Sequence, residues 1–214
     1  MNLSAIALEI YGRISKENTK LGDLRKIAKE IKRNHDLAME LWSTREFLPR
    51  QLAILIMDKK LLTQDFINQL DEDMGSHNNE ERLHLADWFM ANQLMKDKKL
   101  IALMLTWEHS LSEIQRRIFW YYQARLRWTG QTPPDNTEAL LESIESRIAK
   151  EQPAVQWAMN FTAGQIGTFD PVHRERCIKI GETTGLYRDD IVPRGCTPSY
   201  LPEFIRIQVG KLKK

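Results

Sequence analysis

The sequence predicts an all-α protein built as an α-solenoid, a chain of antiparallel helix pairs each burying a face on the next. Three observations predict it. Apolar residues recur at helical spacing, as in Leu24, Ile27, Ala28 and Ile31. Capping residues, Pro and Gly cut the chain into about ten helical segments, mostly of about ten to eighteen residues, joined by short turns. No segment alternates apolar and polar residues as a half-buried strand does.

The totals agree with a folded, water-borne chain. It has 214 residues, enough for one large core or two small ones, and its 42% hydrophobic and 28% charged content excludes disorder. Two cysteines, Cys177 and Cys196, make no disulfide framework and suit a reducing compartment. The start "MNLSAIALEIYGRISKE" has no basic segment of a signal peptide, Glu9 interrupts its apolar run, and no stretch approaches a membrane span. A cytoplasmic protein is expected.

Charge is separated along the chain. The stretch Gly22 to Trp42, "GDLRKIAKEIKRNHDLAMELW", sets its apolar stripe against Arg25, Lys26, Lys29, Lys32 and Arg33. Residues 11 to 35, with Lys16 and Glu17, carry a net +5, residues 65 to 81 a net −6, and residues 113 to 127 a net +3. A near-neutral total of +2 built from such blocks still allows one strongly positive surface, although solvated helix faces give the same pattern.

Further along, "ERLHLADWFMANQLM" shows an apolar stripe of Leu83, Ala86, Met90 and Leu94, with Leu85 and Phe89 opposite, so this helix reads as central. Asp87 projects near the stripe's centre. A carboxylate there needs an arginine partner on a neighbouring helix or an opening onto a cleft. "SLSEIQRRIFWYYQ" offers a capping box from Ser110 to Glu113, and a buried stripe of Leu111, Ile114, Ile118, Tyr121 and Tyr122. Arg117 falls on that stripe's edge and Arg125 inside it, while Arg116 and Arg127 point away.

The remaining elements follow from punctuation. A helix runs from about Asn136 to Lys150, and another from Pro153 to about Gly167. A third is capped by Asp170, begins at Pro171 and stops at Gly185. The tail holds Pro193, Gly195, Pro198 and Pro202, so an irregular segment precedes a brief terminal helix or strand, either functional or capping the last repeat. Six tryptophans, at 42, 88, 107, 120, 128 and 157, are core candidates, and any on an open face can stack on a base or sugar. Cys177, Cys196 and His173 lack the spacing of a closed zinc site and read as inert buried thiols beside a lone histidine.

Two segments, "LGDLRKIAKEIKRNHDLAMELWST" and "QLAILIMDKKLLTQDFINQLDED", with "AVQWAMNFTAGQIG" later, resemble the AlkD-like family of DNA alkylation repair proteins. The likeness runs from about Lys20 to Trp128 and resumes near Trp157. It implies a curved solenoid of HEAT-like repeats over residues 1–184, with 185–214 as an irregular C-terminal extension that has no placed counterpart. It implies a monofunctional glycosylase that removes cationic, N3- or N7-alkylated purines, with no cofactor and no metal. The expected partner is double-stranded DNA carrying alkylated bases, bound by a monomer away from any membrane. The family's catalytic aspartate falls on Asp87 in "HLADWF", its cleft arginine on Arg117, ten residues after Trp107, and an active-site aromatic on Trp157. Arg25, Lys26, Lys29, Arg116 and Arg125 are the expected phosphate contacts. Leu83 stands where the family often has a tryptophan, one turn before the aspartate. The rival reading is a non-catalytic HEAT-like module that binds DNA or protein.

Overall fold

The computed structural model describes residues 3–14 and 19–212, so Lys16 and Glu17 of the basic block lie outside the described residues. Among the described residues there are α-helices and short 3₁₀ turns, and no strand. The chain divides into two compact units, Met1–Leu105 and Thr106–Lys214. No described helix is long and apolar enough to cross a membrane.

The first unit holds α1 (Ala5–Ile14), α2 (Leu21–Ile31), α3 (His35–Ser43), α4 (Phe47–Ile56), α5 (Gln64–Met74), α6 (Asn79–Asn92) and α7 (Lys98–Met104). Short polar side chains start several of these helices by accepting from the first turn: Asn34 from Leu37 N, Thr63 from Phe66 N, Asn78 from Glu81 N. α4 lies against its neighbour α3 and also against α2 and α6. Leu24 and Ile27 of α2 are buried, which leaves its basic side outside.

The centre of this unit is not wholly apolar. Arg50 of α4 is only 2% exposed; its guanidinium lies 4.7 Å from the Trp42 ring centroid and donates to Trp42 O, Asp73 O and Ser76 Oγ. Burial lowers its pKa, and the Asp73 charge works against that shift. Asp73 Oδ2 in turn accepts from Trp42 Nε1 at 2.8 Å. Part of the acidic block at 65–81 therefore serves as internal wiring.

The second unit holds α8 (Glu113–Trp128), α9 (Thr137–Arg147), α10 (Pro153–Phe169), α11 (Arg174–Thr184) and α12 (Leu201–Leu212), with α8 packed along α10. Pro153 occupies the first turn of α10, and Gly185 ends α11 with a left-handed φ of 63°, as the punctuation predicts. Two starts differ from expectation. Ser112, not Ser110, caps α8 by accepting from Gln115 N, so Leu111 lies before the helix and is fully exposed. Asp170 closes α10, and α11 begins at Arg174 after a turn through Pro171.

The tail caps this unit with a helix. After turns and coil from Gly185 to Tyr200, α12 packs on α10 and α11. Gly181 makes that seat possible: a Cβ there would stand 2.6 Å from both Leu201 Cβ and Pro202 Cδ. The two thiols differ. Cys177 is buried, and burial pushes its pKa up to about 12, whereas Cys196 is exposed, so only one of the pair fits the inert buried reading.

His173 ties the α9 and α11 ends together, within 2.7 Å of Glu138 Oε1 and of Asp170 Oδ2. The Glu138 bond, then the Asp170 bond, raises its pKa above the ordinary 6.5, and Glu138 and Asp170 are lowered in return. A raised histidine stabilises the fold fully below 6.5 and loses that contribution as pH rises through the folded value. Relative to His173→Gln, the melting temperature of the parent should therefore fall as pH rises above 6.5. Parallel curves for the two proteins would remove the cluster from the pH dependence.

Candidate functional site

α6 presents Asp87 on a half-open strip. Leu85, Ala86, Trp88, Phe89 and Met90 form its buried side, whereas Leu83, Asp87 and Ala91, spaced four apart, are half-buried along one edge. Ala86, Met90 and Leu94 of the expected stripe are buried, as are Leu85 and Phe89 opposite, so the helix is covered nearly all round and only Leu83 of the stripe lies on the half-open edge. Asp87 combines an open edge with an Oδ1 atom shielded from water, the setting in which a carboxylate's field is least screened. The next residue, Trp88, donates from Nε1 to Gln51 O at 3.1 Å, and the Arg25 guanidinium sits 4.9 Å from its ring centroid. Arg25 is thereby anchored by its side-chain plane while its charge stays at the surface.

Lys26 and Lys29 share the exposed side of α2. Lys26 is 80% exposed, and among the described residues Asp23, at 3.6 Å, is its one acidic partner, while Lys29 and Lys32 pair with no described acid. Such charges bind phosphates at the cost of little internal rearrangement. Replacing Lys26 and Lys29 by Ala should lower the slope of log affinity against log salt by about 0.9 for each phosphate that is no longer neutralised, with the melting temperature unchanged. An unaltered slope on undamaged duplex would mean that this face is only solvated.

In the second unit, α8 and α10 bring Arg117 and Trp157 together. Arg117 is 5% exposed, donates from Nη1 to Ala154 O at 3.2 Å, and lies 4.9 Å from the Trp157 ring and 5.7 Å from Tyr121. Trp157 is half-buried and stacks on Phe161 at 5.2 Å with 10° between planes. Phe161 continues the contact to Trp128 at 6.5 Å and to Phe204 of α12 at 6.0 Å. Sequence reasoning misses this aromatic ladder, although "WAMNF" holds its signal, two aromatics one turn apart.

The other arginines of α8 have structural ties. Arg116 pairs with Glu151 at 3.2 Å and donates to Ser110 O and Leu111 O, so part of its charge is already answered. Arg125 is half-buried against Trp128, with 5.8 Å between guanidinium and ring. Arg127 does not point away. It is 6% exposed, donates to Gln123 O and Thr137 Oγ1, and has its pKa lowered by burial. Among the described residues no three His, Cys, Asp or Glu side chains gather as metal ligands.

The exposed basic side of α2 suits contact with an anionic polymer. A family model described as DNA alkylation repair enzyme matches residues 17–180. The chain belongs to the DNA alkylation repair enzyme family. One solved structure aligns with this family member at a TM-score of 0.65 and 19% identity, over 99% of this chain and 89% of its own. It is described as "A new family of proteins related to the HEAT-like repeat DNA glycosylases with affinity for branched DNA structures". The match establishes the HEAT-like helical fold for this alkylation repair family chain. Nothing among the curated proteins matches it.

Proposed function

We propose that the chain is a monofunctional DNA glycosylase acting on N3- or N7-alkylated purines in duplex DNA. The observation that carries this reading is Asp87, a carboxylate with a shielded oxygen on the half-open strip of α6. Alkylation makes the purine a cation, so the bond from the sugar C1′ to the base breaks with its electron pair going to the base, which leaves neutral. The sugar takes the positive charge as an oxocarbenium-like centre, and a water adds at C1′ and loses a proton. The protein needs to stabilise that charge and position the water; a carboxylate and electron-rich ring faces do both. Asp87 takes the electrostatic role, Trp157 supplies a ring face, and Arg117 grips a neighbouring phosphate. Arg25, Lys26 and Lys29 hold the backbone, with Arg116 and Arg125 as further contacts.

A second reading, DNA binding without chemistry, is favoured by Leu83, an aliphatic side chain where an aromatic would help to cradle a cation. Affinity for branched DNA, as described for the aligned structure, belongs to this reading. Incubating the full chain with methylated duplex DNA and assaying free bases separates the two. Release of N3- or N7-methylpurine supports the glycosylase. Binding of linear or branched duplex with no base released supports the binding module.

A further inference from the structure

A lysine-lined groove on the first unit stands apart from the residues assigned above. The sequence "DKKL" occurs at Asp58–Leu61 and again at Asp97–Leu100, at the turns that follow α4 and α6. The two turns are built alike: Asp58 Oδ1 accepts from Lys60 N at 3.0 Å, and Asp97 Oδ1 accepts from Lys99 N at 2.9 Å. Each aspartate is thus engaged in holding its turn, and the lysines that follow it are left at the rim. Together they line a cleft of about 710 Å³ with Lys59, Lys60, Lys96, Lys98 and Lys99 against the single carboxylate of Asp97.

A hydrogen bond joins the two turns. Lys59 Nζ donates to Lys96 O at 3.0 Å, joining one turn to the other, and Gln93 Nε2 donates to Ile54 O behind them. Leu62 and Leu100 are buried beneath. Lys60, Lys96, Lys98 and Lys99 remain exposed. The end of α2 meets the first of these turns. Arg33, just past the end of α2, pairs with Asp58 at 3.6 Å, and Asn34 N donates to Ile56 O.

We propose that this groove binds consecutive phosphates of a DNA strand, lengthening the backbone contact from α2 along the turns of the first unit. Lysines present point charges with no planar fork, so the groove grips phosphates and does not read bases. Five lysines line the cleft beside Asp97, while Asp58 in the adjoining turn is paired with Arg33, so the cleft carries a net positive charge that favours an anion and that a polyanion answers at several points at once. The inference rests on the DNA-binding part of the proposed function and is independent of its chemistry.

The test uses the full chain with Lys60, Lys96, Lys98 and Lys99 all changed to Ala; Lys59, which ties the turns, is kept. On an undamaged duplex the salt slope should fall by about 0.9 for each phosphate the groove no longer holds, and so by up to about 3 or 4 in all. The corresponding Arg variant should restore it. Melting temperature and the rate of base release at saturating DNA should match the parent. A slope equal to the parent's overturns the proposal. So does saturable binding of inorganic phosphate, at constant ionic strength, that leaves DNA affinity untouched, because the groove then serves a free anion. A reduced slope in a chain that releases no base would keep the groove and remove the glycosylase; base release with an unreduced slope would do the opposite.

Discussion

Asp87→Asn should fold, bind duplex DNA as the parent does, and release alkylated purines about a hundredfold more slowly or worse. The amide keeps the shape of the side chain on its half-open strip and deletes only the charge. A charge that acts on the developing sugar cation is stronger in the transition state than in the bound ground state, so its loss belongs in the chemical step and not in affinity. The shielded Oδ1 sharpens the expectation, since a field is screened least where water is excluded. An ion-pair role predicts otherwise: the partner cation would lose its counter-charge, the melting temperature would drop clearly, and any rate defect would track the unfolded fraction. Thermal melts and single-turnover base release on the same two proteins separate these outcomes. Equal release rates would end the catalytic assignment.

Some helix starts and stops are legible in the sequence because their chemistry is local, although the starts of α8 and α11 fall two or three residues later than the pattern predicts. Pro153 at the head of α10 and the left-handed Gly185 after α11 act through their own backbone, so a short window of sequence suffices. Which side of a helix is buried is less legible. The amphipathic rule sends Arg127 outward, yet it donates to Gln123 O of its own helix and to Thr137 Oγ1, a partner that only the packed α9 brings within reach. Arg50 gives no signal for the same reason: its cage comes from Trp42 of α3 and from Asp73 and Ser76 at the end of α5. On α6 the neighbours bury residues nearly all round, and Leu83 and Asp87 share the edge left half open. The site residues follow from resemblance to a family, and physics alone leaves Asp87 between an ion pair and a cleft. That Arg117 lies on the Trp157 ring is a tertiary fact, set by how α8 and α10 pack.

That stacking leads to the second large effect. Trp157→Ala should slow base release by about two- to thirtyfold and also destabilise the fold, whereas Trp157→Phe should do little of either. The ring is half-buried, so the stability loss should stay below the roughly 3–5 kcal/mol of a wholly buried tryptophan. The rate effect follows from the faces the ring offers. A cation over an aromatic face gains about 0.5–2 kcal/mol, which is that two- to thirtyfold range. Arg117 is held by this face at 4.9 Å, by Tyr121 and by Ala154 O, so removing the indole loosens a buried guanidinium as well as the wall beside it. Phenylalanine keeps a face for Arg117 and for the stack on Phe161, which explains its mildness. A double-mutant cycle with Arg117→Gln isolates the coupling. If Trp157 acts through Arg117, the two rate losses should be clearly less than additive, at temperatures where every variant is folded. Additive losses would give the ring its own contact with DNA, and an Ala variant with full base release would place Trp157 outside the site.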